Sequence, residues 1–120
     1  MLRILVIDDE DNIRLLLKEI FTLYGMTTDE AENGRVALDM MATERYDLVF
    51  MDKRMPVMSG CETLEQIRKV SDVPVYLISA YQTSEEIEKI KKLGIDGILM
   101  KPFSIAEVAE IAKKYKENGV

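Results

Sequence analysis

Short apolar runs alternate with amphipathic stretches along the chain, and each change of period marks a new element. Residues 2–7 form an apolar run rich in β-branched side chains, the pattern of a buried strand. Residues 11–24 take the helical period, with Ile13, Leu16, Leu17, Ile20 and Tyr24 on one face, and Gly25 stops the helix. Residues 27–31 read as a more polar strand; Asn33-Gly34 turns the chain, and residues 35–44 read as a second helix. The third strand covers 47–51, and Pro56 and Gly60 mark a loop before a helix over 61–70. A fourth strand over 73–79 precedes a helix over 84–93, which Gly94 closes. The fifth strand covers 96–100 and the last helix 104–117, with Ser104 at the N-cap and Glu107 at capping-box spacing.

Five strand–helix units in succession predict an α/β fold, a five-stranded parallel sheet with five helices on its two faces. Right-handed crossovers leave few arrangements. A doubly wound, flavodoxin-like order 2-1-3-4-5 puts the polar second strand at an edge and the apolar first, third and fourth strands inside. Ligands in such sheets bind outside the carboxyl ends of the strands, near the switch point between strands one and three. Asp8 and Asp9 follow the first strand, Asp52 the third, Ser79 the fourth and Lys101 the fifth. Chemically active residue types from four strands therefore meet on one rim.

Composition and charge narrow the chemistry. The 120 residues fit one domain, read as 1–120 with no output domain. Sixteen basic against 22 acidic residues give a net charge of −6, with no Lys/Arg cluster, so direct nucleic-acid binding is not expected. The N-terminal apolar run meets Asp8-Asp9-Glu10-Asp11 too soon to be a signal peptide or a membrane span, which points to a cytoplasmic protein. One cysteine, Cys61, allows no internal disulfide, and the eight methionines read as core filler. The chain has no histidine, which rules out a phosphohistidine step, a histidine-ligated metal or a Ser-His-Asp triad within it.

Three carboxylates on one rim repel each other unless a pKa rises or a cation binds. Oxygen ligands without His or Cys favour a hard ion, and the lack of a calcium-loop pattern favours Mg²⁺ beside a phosphate. Lys101 supplies a point charge and Ser79 a hydroxyl donor for that phosphate, around a carboxylate able to act as nucleophile. Taken singly, each residue has a plainer reading. An Asp after a strand caps or turns, and Glu10 and Asp11 suit the first turn of a helix. A flavodoxin-like FMN binder and a metal-dependent phosphohydrolase are the alternatives. The first lacks a Ser/Thr/Gly-rich phosphate loop here, and the second lacks an Asp-x-Asp-x-Thr pattern after the first strand.

Along nearly its whole length the sequence resembles the receiver domain of two-component response regulators, the CheY-like family. The matching pieces are residues 4–10, Glu32-Asn33-Gly34, residues 47–52, residues 55–60, Ser79-Ala80-Tyr81 and Lys101-Pro102-Phe103. The resemblance is greatest to the stand-alone, single-domain sporulation phosphorelay type, with Arg14, Lys53 to Pro56 and Tyr81 in comparable places.

The resemblance implies phosphorylation of Asp52. It implies Mg²⁺ held by Asp9, Asp52 and the Arg54 carbonyl, with Asp8 mainly behind them. Ser79 and Ala80 then meet the phosphoryl group, Lys101 pairs with it, and the Lys101-Pro102 bond is expected cis. The donor is a histidine kinase or histidine phosphotransferase, and output passes by protein contacts to a downstream target. The protein is expected to be a monomer when unphosphorylated and not an enzyme in the turnover sense. Arg14, Leu15, Lys18, Pro102 and Phe103 are expected to form the kinase-docking patch. Arg54 and Tyr81 are expected to shield the phosphoryl group and lengthen its life. One position departs from the family pattern: Ile98 stands where receivers commonly place a switching aromatic ring.

Overall fold

The computed structural model describes residues 2–80 and 85–118. Strands β1 (Arg3–Ile7), β2 (Thr27–Ala31), β3 (Leu48–Asp52), β4 (Val75–Ser79) and β5 (Gly97–Met100) alternate with α1 (Asp11–Leu23), α2 (Gly34–Met41), α3 (Gly60–Val70), α4 (Glu85–Leu93) and α5 (Ile105–Asn118). The strands are all parallel, in the expected order β2-β1-β3-β4-β5.

The period-two alternation of the inner strands splits the interior into two cores. Leu5, Ile7, Val49, Met51, Val75 and Leu77 face Ala37, Leu64, Ile67, Ile87 and Ile90 of α2, α3 and α4. Ile4, Val6, Leu48, Phe50, Tyr76 and Ile78 face Leu17, Ile20, Phe21, Val108 and Ala112 of α1 and α5. Both sides of β1, β3 and β4 are thus dry, as a parallel sheet requires.

Several boundaries differ from the sequence pattern for local reasons. Asn33 does not simply turn the chain. Its side chain accepts from the Val36 N–H at 2.9 Å, so it caps α2, and Gly34 is the first helical residue. A Cβ on Gly34 would lie 1.9 Å from Thr63 Oγ1, so α2 and α3 meet there backbone to side chain. The helix ends at Met41, short of the end expected at residue 44. β4 starts at Val75, because Pro74 has no N–H and the Val73 N–H is taken by Ser71 Oγ at 3.0 Å. Ser59 and Glu62 form a capping box on α3, and Ser104 and Glu107 exchange the expected pair of bonds at α5. Ser84, the expected start of α4, lies outside the described residues.

The apolar face of α1 is rotated from its expected position. Leu17, Ile20 and Phe21 are buried, whereas Leu16 is 38% exposed. The fully buried set begins a turn and a half into the helix, with Ile13 only partly buried against the same core. The rotation places Leu16 on the surface beside the loop that follows β5.

Candidate functional site

The rim predicted from strand order exists. Asp8 and Asp52 are buried, Asp9 and Glu10 are exposed, and each of the four offers a carboxylate oxygen within 4.8 Å of the others'. A cleft of about 280 Å³ opens on them, lined by Asp9, Glu10, Asp52, Lys53, Arg54, Ser79, Ala80 and Lys101. It has room for several waters, or for a hydrated ion with a phosphate-sized group.

Asp8 leaves β1 as a fully buried residue, its N–H bonded to Ala31 O at 3.1 Å. One carboxylate oxygen, Oδ1, accepts from the Glu10 N–H at 2.8 Å. The other, Oδ2, is buried without a hydrogen-bond partner. An orphaned buried carboxylate oxygen is costly, and here it lies within a cluster of three further acids. Burial pushes the Asp8 carboxyl up to about 6; the Asp52 charge adds to the shift, and the Glu10 N–H opposes it. The residues therefore fit a hard cation, which would satisfy Oδ2 and offset the repulsion.

Asp52 ends β3, opposite Ile78 of β4, with its side chain only 9% exposed. Burial raises its carboxyl above the usual range, and Asp9 adds to this. Lys101 and the N–H groups of Arg54 and Lys53 pull the other way. Lys101 Nζ lies 3.8 Å from Asp52 Oδ1 and 3.2 Å from Glu10 Oε1. Burial alone would depress its ammonium, but Asp52, Glu10 and Asp8 outweigh burial and the net shift is upward. The Lys101-Pro102 bond is cis, as the family resemblance implied.

The loop after Asp52 is folded back on the strand end. Gly60 N–H bonds Lys53 O at 3.0 Å. A Cβ on Gly60 would sit 2.7 Å from Asp52 O and 2.9 Å from Lys53 O, so glycine is required for this approach. Val57 in the same loop adopts φ 72°, a costly conformation for a β-branched residue.

Of the expected site residues, Asp8, Asp9, Asp52, Arg54, Ser79, Ala80 and Lys101 come together. Glu10, read from sequence as a helix first-turn acid, joins them as the partner of Lys101. Lys53 is also part of the cleft wall, although only 5% exposed. Ile98 is partly buried and packs against the core shared with α2, α3 and α4. Tyr81 lies outside the described residues.

The expected docking residues divide. Leu15 is 54% exposed, and Pro102, Phe103, Ile13, Leu16 and Lys101 line a shallow groove beside it. Lys18 is half exposed and paired with Glu30 at 3.6 Å. Arg14 lies partly inward. Its side chain is only 13% exposed because the guanidinium folds back onto the Asp8 carbonyl and Glu30 instead of projecting outward.

The chain belongs to the response regulator receiver domain family, whose model matches residues 4–113. Such domains are phosphorylated on an aspartate and work with histidine kinases or phosphotransferases and downstream targets. The chain is 39% identical over 114 residues to Sporulation initiation phosphotransferase F of Bacillus subtilis (strain 168), covering 94% of this chain and 92% of that protein. It is also 39% identical to Regulatory protein AtoC of Escherichia coli (strain K12), but over only 24% of AtoC.

Among solved structures, response regulator protein TrrA from Thermotoga maritima, in complex with Mg²⁺-BeF, is 41% identical. That match has a TM-score of 0.83 and covers 96% of this chain and 99% of TrrA. Chemotaxis protein CheY4 of Vibrio cholerae superposes with a TM-score of 0.89 at 27% identity, covering 96% of this chain and 98% of CheY4. No described helix is long and apolar enough to cross a membrane.

Proposed function

We propose that Asp52 is the phosphoacceptor, that Asp8, Asp9, Asp52 and the Arg54 carbonyl are the protein's Mg²⁺ ligands, and that the donor is a phosphohistidine in another protein. The observation that carries this reading is the pairing of a buried strand-end carboxylate with Lys101 at 3.8 Å, beside the orphaned Oδ2 of Asp8. The Mg²⁺-BeF complex of TrrA supports Mg²⁺ as the ion.

An Asp52 oxygen attacks phosphorus as the phosphorus–nitrogen bond to the donor histidine breaks, leaving an acyl phosphate on Asp52. Lys101 neutralises charge on the transferred oxygens, and the Ser79 hydroxyl donates to one of them. Bound Mg²⁺ supplies further charge neutralisation at those oxygens. Lys101 must then shift its balance from Glu10 toward the new phosphoryl group, so Glu10 is the group that releases it.

The near end-to-end match with phosphotransferase F supports a stand-alone receiver of the phosphorelay type. It works in the cytoplasm as a monomer when unphosphorylated and signals by protein contacts, with neither DNA binding nor substrate turnover. Leu15, Leu16, Pro102 and Phe103 form the face offered to the kinase or phosphotransferase. Membership in the receiver family sets aside the FMN and phosphohydrolase readings.

Incubation with acetyl phosphate and MgCl₂, followed by intact mass, tests the reading. Wild type should gain one phosphoryl group, and Asp52→Asn or omission of Mg²⁺ should prevent the gain. Undiminished labelling of Asp52→Asn would place the acceptor elsewhere.

A further inference from the structure

Arg14 makes three polar contacts, two turned inward to the Asp8 carbonyl and Glu30 and one to the exposed Asp11 carboxylate. Nη1 donates to the Asp8 carbonyl at 2.6 Å, and Nε donates to Glu30 Oε1 on β2 at 3.2 Å. Nη2 pairs with the Asp11 carboxylate. Glu30 is held from its other oxygen by Lys18 at 3.6 Å. The guanidinium is therefore fixed between a strand, a helix and the turn that carries the acids.

That turn is fixed elsewhere as well. The Asp8 N–H is tied to Ala31 O, the Glu10 N–H to Asp8 Oδ1, and Glu10 O accepts from the Ile13 and Arg14 N–H groups at 3.2 Å each. The plane of the Asp8–Asp9 peptide sets where the Asp9 carboxylate points, and the carbonyl oxygen of that peptide is the atom Arg14 grips. A charge-assisted bond from a planar, two-carboxylate-anchored fork resists rotation better than a neutral bond would.

We propose that Arg14 is a positioning residue for the cation site, holding the Asp8–Asp9 peptide so that Asp8 and Asp9 stay converged against their mutual repulsion. Glu30 orients the fork from β2. This inference rests on the reading that Asp8 and Asp9 hold Mg²⁺. It moves Arg14 from the docking face to the support of that site, where outer groups are commonly worth 10- to 100-fold in metal affinity.

Calorimetric titration of the metal-free full chain with MgCl₂, for wild type, Arg14→Ala, Arg14→Lys and Glu30→Gln, is the test. It is paired with acetyl phosphate labelling rates across Mg²⁺ concentrations. Arg14→Ala should raise the Mg²⁺ dissociation constant about tenfold. It should slow labelling at low Mg²⁺ and recover the wild-type rate at saturating Mg²⁺, a split that general loss of structure would not produce. Arg14→Lys should recover part of the affinity, and Glu30→Gln should shift it the same way by less. In metal-free protein, the Asp9 and Glu10 amide resonances should move in Arg14→Ala.

Wild-type Mg²⁺ affinity in Arg14→Ala, with loss only of transfer from a phosphohistidine donor, would overturn the proposal in favour of docking. If Arg14→Ala loses its circular-dichroism signature, Glu30→Gln decides, and unchanged affinity there overturns it. A wild-type chain that takes up no Mg²⁺ would instead reject the cation reading on which the inference stands.

Discussion

Replacing Asp8 by Asn should stabilise the metal-free protein while removing its response to Mg²⁺. Asp8 is fully buried, and its carboxyl is pushed from 3.8 to about 6, chiefly by burial. Each pKa unit corresponds to about 1.4 kcal/mol, so keeping Asp8 ionised near neutral pH costs the folded state at most about 3 kcal/mol. Water in the adjoining cleft reduces that figure, and about 2 kcal/mol is the expected gain from removing the charge. Asn keeps the acceptor for the Glu10 N–H, and its NH₂ replaces the orphaned oxygen with a donor facing three acids.

The sign follows from the raised folded-state pKa. The contribution is fully present below pH 3.8, and it is lost as pH rises through about 6. Metal-free wild type should therefore gain about 1–2 kcal/mol between pH 7.5 and pH 5 from this group. Asp52, shifted the same way, adds to the slope. Urea unfolding in EDTA at these two pH values measures both effects. With m-values of about 1–3 kcal/mol/M, Asp8→Asn should move the midpoint by roughly 1 M at pH 7.5 and flatten its pH dependence. Wild type should gain stability on adding Mg²⁺ by mass action, and the variant should not. A destabilised Asp8→Asn, or one with the full wild-type pH slope, would refute the claim that Asp8 is held ionised at a cost to the fold.

Three further outcomes follow from the same contacts. Leu15→Asp should impair phosphotransfer from a histidine kinase while sparing labelling by acetyl phosphate, and equal loss of both would reject the docking role. Gly60→Ala should cost about 1–3 kcal/mol in thermal or urea unfolding and slow labelling of Asp52, because its Cβ meets the Asp52 and Lys53 carbonyls at 2.7 and 2.9 Å. Tyr46→Phe should cost about 1–2 kcal/mol without altering labelling. The Tyr46 hydroxyl donates to Asp29 at 2.6 Å and helps tie the edge strand β2, and neither residue lines the cleft.

The order of elements was legible because four of the five strands are short and apolar, the polar β2 sits between two helical stretches, and each helix carries one apolar stripe. Where the pattern failed, it lacked information about neighbours. Residues 42–44 read as helix, yet α2 stops at Met41 as the chain turns back toward β3. Leu16 and Phe21 lie near opposite margins of the α1 stripe. The rotation of the helix toward the sheet decides that Phe21 is buried and Leu16 is not. Periodicity locates an apolar stripe, but the packing partners set which of its margins is buried.

The site divides along the same line. Asp8, Asp9, Asp52, Ser79 and Lys101 were readable because strand order alone carries them to one rim, whatever their rotamers. The contacts of Glu10 and Arg14 were not legible because they depend on side-chain direction. A first-turn acid of a helix and an acid of a cation site look identical in sequence, and here Glu10 turns to Lys101 at 3.2 Å. A cation on the outer side of a helix looks like a surface residue until a strand supplies its counter-charge. Glu30 does so from β2, pairing with Arg14 at 3.2 Å across a gap of 16 residues that no helical spacing encodes. The groups that carry the proposed chemistry are thus set by topology, and those that brace it are set by packing, which is why bracing residues such as Arg14 must be tested by metal affinity and not by position alone.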